Sequence, residues 1–275
     1  MKKTILITGS TDGIGRQIAK NLAAGGHFII VHGRTVEKCE RTIQEIKTSL
    51  PDAKLDCVSA DFTSLANVKR MSEIVLEKYD HLDVLINNAG IYQSQIEITP
   101  DGFETNLVIN YLAVYVLTKG LQNLLVKSNP SRIINVSSIA HKRGRIDIEQ
   151  LIKFQNHNFD GYKAYADSKL MLIYFTYYLA DELNGSGVTV NALHPGVITT
   201  KMLMNGFNMT GEDVIVGAET PVFLATSPEV EEITGKYFDK KVPIPSSRLS
   251  YDLLVKEQVI QWTKKVLKKG GWVQE

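Results

Sequence analysis

Six short apolar runs rich in β-branched side chains recur along this chain, at Thr4 to Thr8, Phe28 to His32, Leu55 to Ala60, Val84 to Asn87, Arg132 to Val136 and Val188 to Leu193. None alternates strictly between apolar and polar residues, so each needs cover on both faces. Helix-like stretches separate them, at Gly13 to Ala24, Val36 to Leu50, Leu65 to Tyr79, Phe103 to Lys127 and Tyr162 to Leu183, with another near Tyr251 to Leu267. Strands alternating with helices build parallel sheets through right-handed crossovers. The pattern predicts an α/β fold with a doubly wound, mostly parallel, seven-stranded sheet and helices on both faces. The seventh strand is a short edge around Lys236 to Phe238.

No linker, repeat or low-complexity tract interrupts this alternation, and 44% hydrophobic residues in 275 suffice for one large core. The reading is a single domain over residues 1–275. Basic and acidic side chains nearly cancel, 31 against 30, which argues against a nucleic-acid partner. The first strand starts at about Thr4, leaving no room for a signal peptide or an amino-terminal anchor. Leu170 to Ala180, the longest apolar helix-like stretch, is too short for a bilayer. A soluble, cytoplasmic protein without membrane insertion is expected. Cys39 and Cys57 are read as unpaired thiols, and neither they nor the histidines have metal-ligand spacing.

Polar and small residues gather where strands end: Gly9 after the first, Asp61 after the third, Asn88 after the fourth, Ser138 after the fifth and Pro195 after the sixth. In an open doubly wound sheet of Rossmann type, ligands bind along that carboxyl edge. The segment TGSTDGIG sets Gly9, Gly13 and Gly15 between a strand and a helix amino terminus, where bare backbone can approach a pyrophosphate. Its TGxxxGxG spacing differs from GxGxxG and, alone, fits a merely tight turn equally well. The second strand ends VHGR, so Gly33 stands where an NAD site places its carboxylate, and Arg34 offers paired donors to a 2′-phosphate. Ser10, Thr11 and Arg16 are candidates to assist. NADP(H) is the preferred cofactor on this reading, with NAD(H) possible. Residues 1–135 then form a cofactor half and 136–275 a catalytic and substrate half.

Tyr165 and Lys169 lie four residues apart in AYADSKL, so a phenol and an ammonium share a helix face. A phenol with pKa ~10 needs a shift of about 3 units, about 4 kcal/mol, to gain phenolate character near neutrality. Lys169 is expected to supply much of it by Coulomb attraction. Tyr162 is excluded, being ~10.5 Å along the axis from Lys169.

Together TGSTDGIG, the NNAG at Asn87 to Gly90, YADSK and HPGVITT resemble the short-chain dehydrogenase/reductase family in its compact subtype, from Thr4 to about Leu267. The resemblance implies that Ile14 belongs to the phosphate turn and that Asp61 with Phe62 meets the adenine. It places Asn88, Ala89 and Gly90 along the adenosine and Pro195, Gly196, Val197 and Thr200 at the carboxamide, with Lys169 also on the nicotinamide ribose. Asp61 is equally open to a cap before Thr63 and Ser64. Ser138 matches the family serine on the substrate oxygen, whereas Ser137 should point the other way. Asn110 in VINYLAV matches the asparagine that helps hold a water and the lysine in a proton relay. His194 is read as a turn residue fixed by Pro195.

AYADSKL, ALHPGVITT and LATSPEVEEITGKYF look most like the retinol dehydrogenase and carbonyl reductase branch. Many members of that branch carry a membrane anchor, which this reading does not find. Lys201 to Thr210 would lie over the nicotinamide as a lid hinged at Gly206. Its Met202, Leu203, Met204, Phe207 and Met209 offer an apolar lining, or simply cover the core. His141 to Asn158 is a second candidate wall. The expected activity is hydride transfer between NADP(H) and a hydrophobic ketone, aldehyde or alcohol, with Tyr165 as general acid/base. An NAD-dependent alcohol dehydrogenase of the same family and a non-catalytic dinucleotide sensor are the alternatives. Family resemblance further implies a homodimer through the apolar helices at about 103–127 and 162–183.

Overall fold

Burial on both faces of every central strand dictates the architecture. A computed structural model describes residues 2–148 and 159–273. Strands β1 (Thr4–Ile7), β2 (Phe28–Gly33), β3 (Leu55–Ser59), β4 (Val84–Asn87), β5 (Ser131–Val136), β6 (Val188–His194), β7 (Tyr237–Asp239) and β8 (Val242–Ile244) form one sheet in the order β3-β2-β1-β4-β5-β6-β7-β8. All neighbours are parallel except β7 and β8. The expected seven strands are therefore eight. The extra edge strand, VPI, is short, half exposed and holds Pro243, features that hide an edge strand from a search for apolar runs.

Side chains alternate cleanly across the sheet. Leu6, Ile30, Leu85, Ile133 and Val190 point to one face, which is covered by α3 (Leu65–Lys78), α4 (Ala113–Lys127), α5 (Gly161–Glu182) and α8 (Leu253–Lys269). Ile5, Ile7, Ile29, Val31, Val84 and Ile86 point to the other, under α1 (Gly13–Ala24), α2 (Val36–Ser49) and α7 (Val214–Thr226). Asp12, Thr35, Ser64, Asp160, Asp213 and Asp252 begin these helices with side-chain oxygens that accept first-turn N–H groups. Sequence periodicity missed α7, whose β-branched start and interior Pro221 both disfavour helix on propensity alone.

The helix expected from Phe103 begins with a single turn at Thr105–Leu107 and passes through a π turn, Val108–Leu112, before α4. Helices α4 and α5 are apolar almost all round because the sheet is not their only cover. The helix α3 packs on α4 and the carboxyl-terminal α8 on α5, and α8 is joined to the π turn by a buried Tyr111–Thr263 hydroxyl contact of 2.8 Å and to the loop before it by Trp262 edge-on to Phe103. Among the described residues no helix is long and apolar enough to cross a membrane, no cluster could hold a metal, and Cys39 and Cys57 are free.

Candidate active site

A cleft of about 670 Å³ opens along the carboxyl ends of the strands, from Arg34 and Lys38 at one extreme to Tyr165, Lys169 and Met202 at the other. Its floor is the turn from β1 to α1. Gly9 and Gly13 hold positive φ of 63° and 50°, which L side chains rarely adopt. A Cβ on Gly15 would collide with the Gly9 carbonyl and the Asn88 amide, so glycine is required for helix and turn to close on each other. The donor set and the tight turn fit a dinucleotide, with bare backbone and a helix amino terminus at the place of its phosphates.

Thr8 holds this floor to the neighbouring loop. Its Oγ1 accepts from the Asn88 and Ala89 N–H groups, each at 2.9 Å, while Asn88 Nδ2 donates to the Thr8 and Gly9 carbonyls at 2.8 and 3.1 Å. The Asn88 side chain thus braces the turn, and the loop through Ala89 and Gly90 lines the cleft. Ser10 does not reach it: its hydroxyl is buried, donating to the Ile7 carbonyl at 2.8 Å and accepting from His32 N–H at 2.9 Å. Burial between strands needs that hydroxyl more than a ligand does. Arg16 pairs with Glu45 at 2.9 Å, away from the lining.

Several lining residues went unrecognised in the sequence, His32, Lys38 and Tyr92 among them. His32 accepts the Gly9 N–H on Nδ1 at 3.0 Å and donates from Nε2 to the Ala60 carbonyl at 3.2 Å. Burial pulls its pKa down to about 4, so it stays neutral. Its ring lies 4.5 Å from that of Phe62, which fixes the adenine end. Lys38, one turn into α2, lines the cleft with Arg34, and the alternation of charges on an exposed helix disguised it. Asp61 lines the cleft and also takes Thr63 N–H and hydroxyl on Oδ1, at 3.0 and 2.9 Å, while Ser64 is the actual cap of α3.

At the other end, Tyr165 projects from α5 with the Ser138 hydroxyl close enough to act on its phenol. Lys169 one turn later is 4% exposed and donates from Nζ to the Val136 carbonyl at 3.1 Å, with Nζ 5.8 Å from the Tyr165 ring centre. Asn110 occupies the middle of the π turn, where its side chain takes Ile91 N–H at 2.8 Å and donates to the Ile91 carbonyl and Ser168 hydroxyl at 2.9 and 3.0 Å. A Cβ on Gly90 would lie 3.2 Å from both Asn110 Oδ1 and Lys169 Nζ, which places the asparagine and the ammonium at one spot. Ser137, not Ser138, is among the residues that line the cleft, and its hydroxyl donates to the Lys169 carbonyl at 3.0 Å.

The expected lowering of the Tyr165 phenol is not what the structure gives. Burial pushes it up, and the Ser138 hydrogen bond only partly counters this. Burial also lowers Lys169 to about 8. Both shifts share one cause, since a dry site penalises charge on either partner before their attraction counts.

The serine loop is braced from behind. His141 donates from Nδ1 to the Ser138 carbonyl at 2.6 Å and accepts the Ser247 N–H on Nε2 at 3.0 Å, held neutral by burial that pulls it to about 4. His194 is the last residue of β6 rather than a turn residue, and it accepts the Ile139 N–H at 3.3 Å. Beyond it, Pro195 and Thr200 line the cleft, but Gly196 and Val197 do not, because Gly196 turns the chain with φ of 100° and the Val197 carbonyl takes Glu212 N–H at 2.8 Å.

The expected lid is helical, α6 (Lys201–Phe207), capped by Thr200. Helical spacing turns Met202, Asn205 and Gly206 to the cleft and leaves Leu203 outside the lining. Phe207 stacks on Tyr92 at 4.1 Å and lies edge-on to Tyr165 at 6.0 Å. Gly206 is no hinge: it lies so near the Tyr92 ring that a Cβ would overlap it. Of the second candidate wall, residues 149–158 lie outside the described residues.

The family model for short chain dehydrogenase matches residues 3–150 and 153–210. Retinol dehydrogenase 13 of Mus musculus is 37% identical over 263 residues, covering 89% of this chain and 78% of its own. Among solved structures, the Pseudomonas aeruginosa RhlG/NADP active-site complex superposes with a TM-score of 0.70 at 25% identity, over 86% of this chain and 93% of the other. The Brucella melitensis 3-ketoacyl-(acyl-carrier-protein) reductase complexed with NADH gives 0.68 at 26%, over 86% and 96%.

Proposed function

The chain belongs to the short-chain dehydrogenase/reductase family, in its retinol dehydrogenase-like branch, and on that premise we propose that it is an NADP(H)-preferring oxidoreductase interconverting a hydrophobic ketone or aldehyde and its alcohol. One observation carries the reading: Tyr165 and Lys169 line the end of the cleft opposite the glycine turn, with Ser138 beside the phenol and Asn110 beside the ammonium just behind that lining. A nicotinamide dinucleotide in that cleft supplies the hydride in reduction and takes it in oxidation.

The protein's own groups handle the proton. Tyr165 donates its phenolic proton to the carbonyl oxygen as negative charge grows there, and the hydride and this proton together complete the alcohol. Ser138, beside the phenol, holds the same oxygen. Lys169, lowered to about 8, restores the tyrosine near neutral pH, and Asn110 holds the Ile91 backbone beside it. In oxidation the same groups run in reverse.

The preference for the 2′-phosphate rests on Gly33, Arg34 and Lys38. A Cβ at Gly33 would sit 2.5 Å from Thr11 Cγ2 and 3.0 Å from Cys39 Sγ, so no carboxylate fits there without displacing its neighbours. Arg34 and Lys38 are exposed beside the same end of the cleft. The apolar substrate rests on Tyr92, Met202 and Phe207 around Tyr165. Tyr165→Phe tests the scheme: turnover of generic ketones, followed by NADPH absorbance, should fall by about four orders of magnitude at unchanged NADPH affinity. Retained turnover refutes the assigned acid.

A further inference from the structure

Asp12 is an acid placed where a pyrophosphate is expected. It caps α1, accepting the Gly13 N–H on Oδ1 at 2.9 Å, and it lines the cleft beside Gly13 and Thr200. A carboxylate there competes with a polyanion for the positive end of the helix. Its second oxygen takes Lys201 Nζ at 2.5 Å. Lys201 is the first residue of α6, also lines the cleft, and has a side chain 74% exposed on a flexible stem. Burial works against the Asp12 charge, but the Lys201 hydrogen bond, the Gly13 N–H and the nearby cations outweigh it and hold the carboxyl below its usual range. The acid therefore remains ionised at neutral pH. Arg16, whose charge also acts on Asp12, is paired with Glu45.

We propose that Lys201 is a cofactor-binding residue that exchanges the Asp12 carboxylate for the pyrophosphate, drawing the first turn of α6 onto the dinucleotide as it does so. The assignment rests on the dinucleotide reading of the cleft. A lysine ammonium suits this exchange, being a point charge with rotatable donors rather than a fixed fork. Asp12 neutralises Lys201 in the free protein and becomes the repelling group once the phosphates arrive, so the two side chains act on affinity with opposite signs.

NADPH is titrated into the full-length protein and its Lys201→Met, Asp12→Asn and doubly substituted forms, following the fluorescence of the bound dinucleotide. Asparagine keeps a side-chain oxygen for the Gly13 N–H, so the helix cap survives. Lys201→Met should weaken binding about five- to tenfold, Asp12→Asn should tighten it about threefold, and raised salt should shrink both gaps. The double form should return toward the unaltered protein. Lys201→Met within about twofold of the unaltered protein, or weaker binding by Asp12→Asn, overturns the assignment. Failure of the unaltered protein to bind NADPH at all defeats instead the reading of the cleft on which it stands.

Discussion

Replacing Lys169 by methionine should abolish turnover and yet make the cofactor-free protein more stable at pH 7. Burial lowers this lysine from 10.5 to about 8. A depression of that size corresponds to about 3 kcal/mol by which the folded state disfavours the ammonium relative to the unfolded chain. Below pH 8 the lysine is charged in both states and the whole cost is present. Between 8 and 10.5 the folded form has shed its proton while the unfolded form keeps it, so the unsubstituted protein gains stability with rising pH. Above 10.5 neither is charged and the cost is gone. Methionine removes the charge at similar volume but leaves the Val136 carbonyl without its 3.1 Å donor, a loss of about 1 kcal/mol. The net advantage of Lys169→Met is therefore about 2 kcal/mol at pH 7, and it should disappear by about pH 10. Urea unfolding of both forms across that range measures it. A variant less stable than its parent at pH 7, by an amount that ignores pH, would show that the ammonium is stabilising where it lies and that the reasoning is wrong.

If the proposed preference holds, Arg34→Asp should move it from NADPH toward NADH, and adding Lys38→Ala should lower kcat/KM for NADPH about tenfold further, because both cations line the same end of the cleft; equal kcat/KM for the two cofactors in the unaltered protein would refute the preference. Gly33→Asp should instead unfold more readily without gaining use of NADH, since its Cβ meets Thr11. Trp262→Ala should destabilise by about 3 kcal/mol, read from the urea midpoint, because it removes a nearly buried ring from the contact of α8 with Phe103.

Where burial is two-sided and the run apolar, sequence and structure agree almost residue for residue, as at Val84–Asn87. The shared helix face of Tyr165 and Lys169 and the strand-end position of Ser138 were legible from spacing, whereas Asn110, inside a helical segment, stood out only through the family resemblance. What escaped depends on contacts distant in the chain. Ser10 turns inward only because β2 offers His32 N–H and carbonyl groups beside it. His32 reads as a strand residue until the turn after β1 closes on it, and Thr8 until the loop after β4 does. The direction of the Tyr165 shift reverses because the sequence displays the neighbouring charge but not the dryness around it. α7 is helical against propensity because α1 and the sheet bury Ala218, Leu224 and Ala225.

Through His141, the carbonyl of Ser138 is tied to the backbone of Ser247, more than a hundred residues downstream. On the ribosome the glycine turn, the tyrosine and the lysine all emerge before that tether can form. The serine loop is therefore moored to a stretch of chain made after every other part of the cleft, and it cannot be fixed in this way until residue 247 has joined the fold.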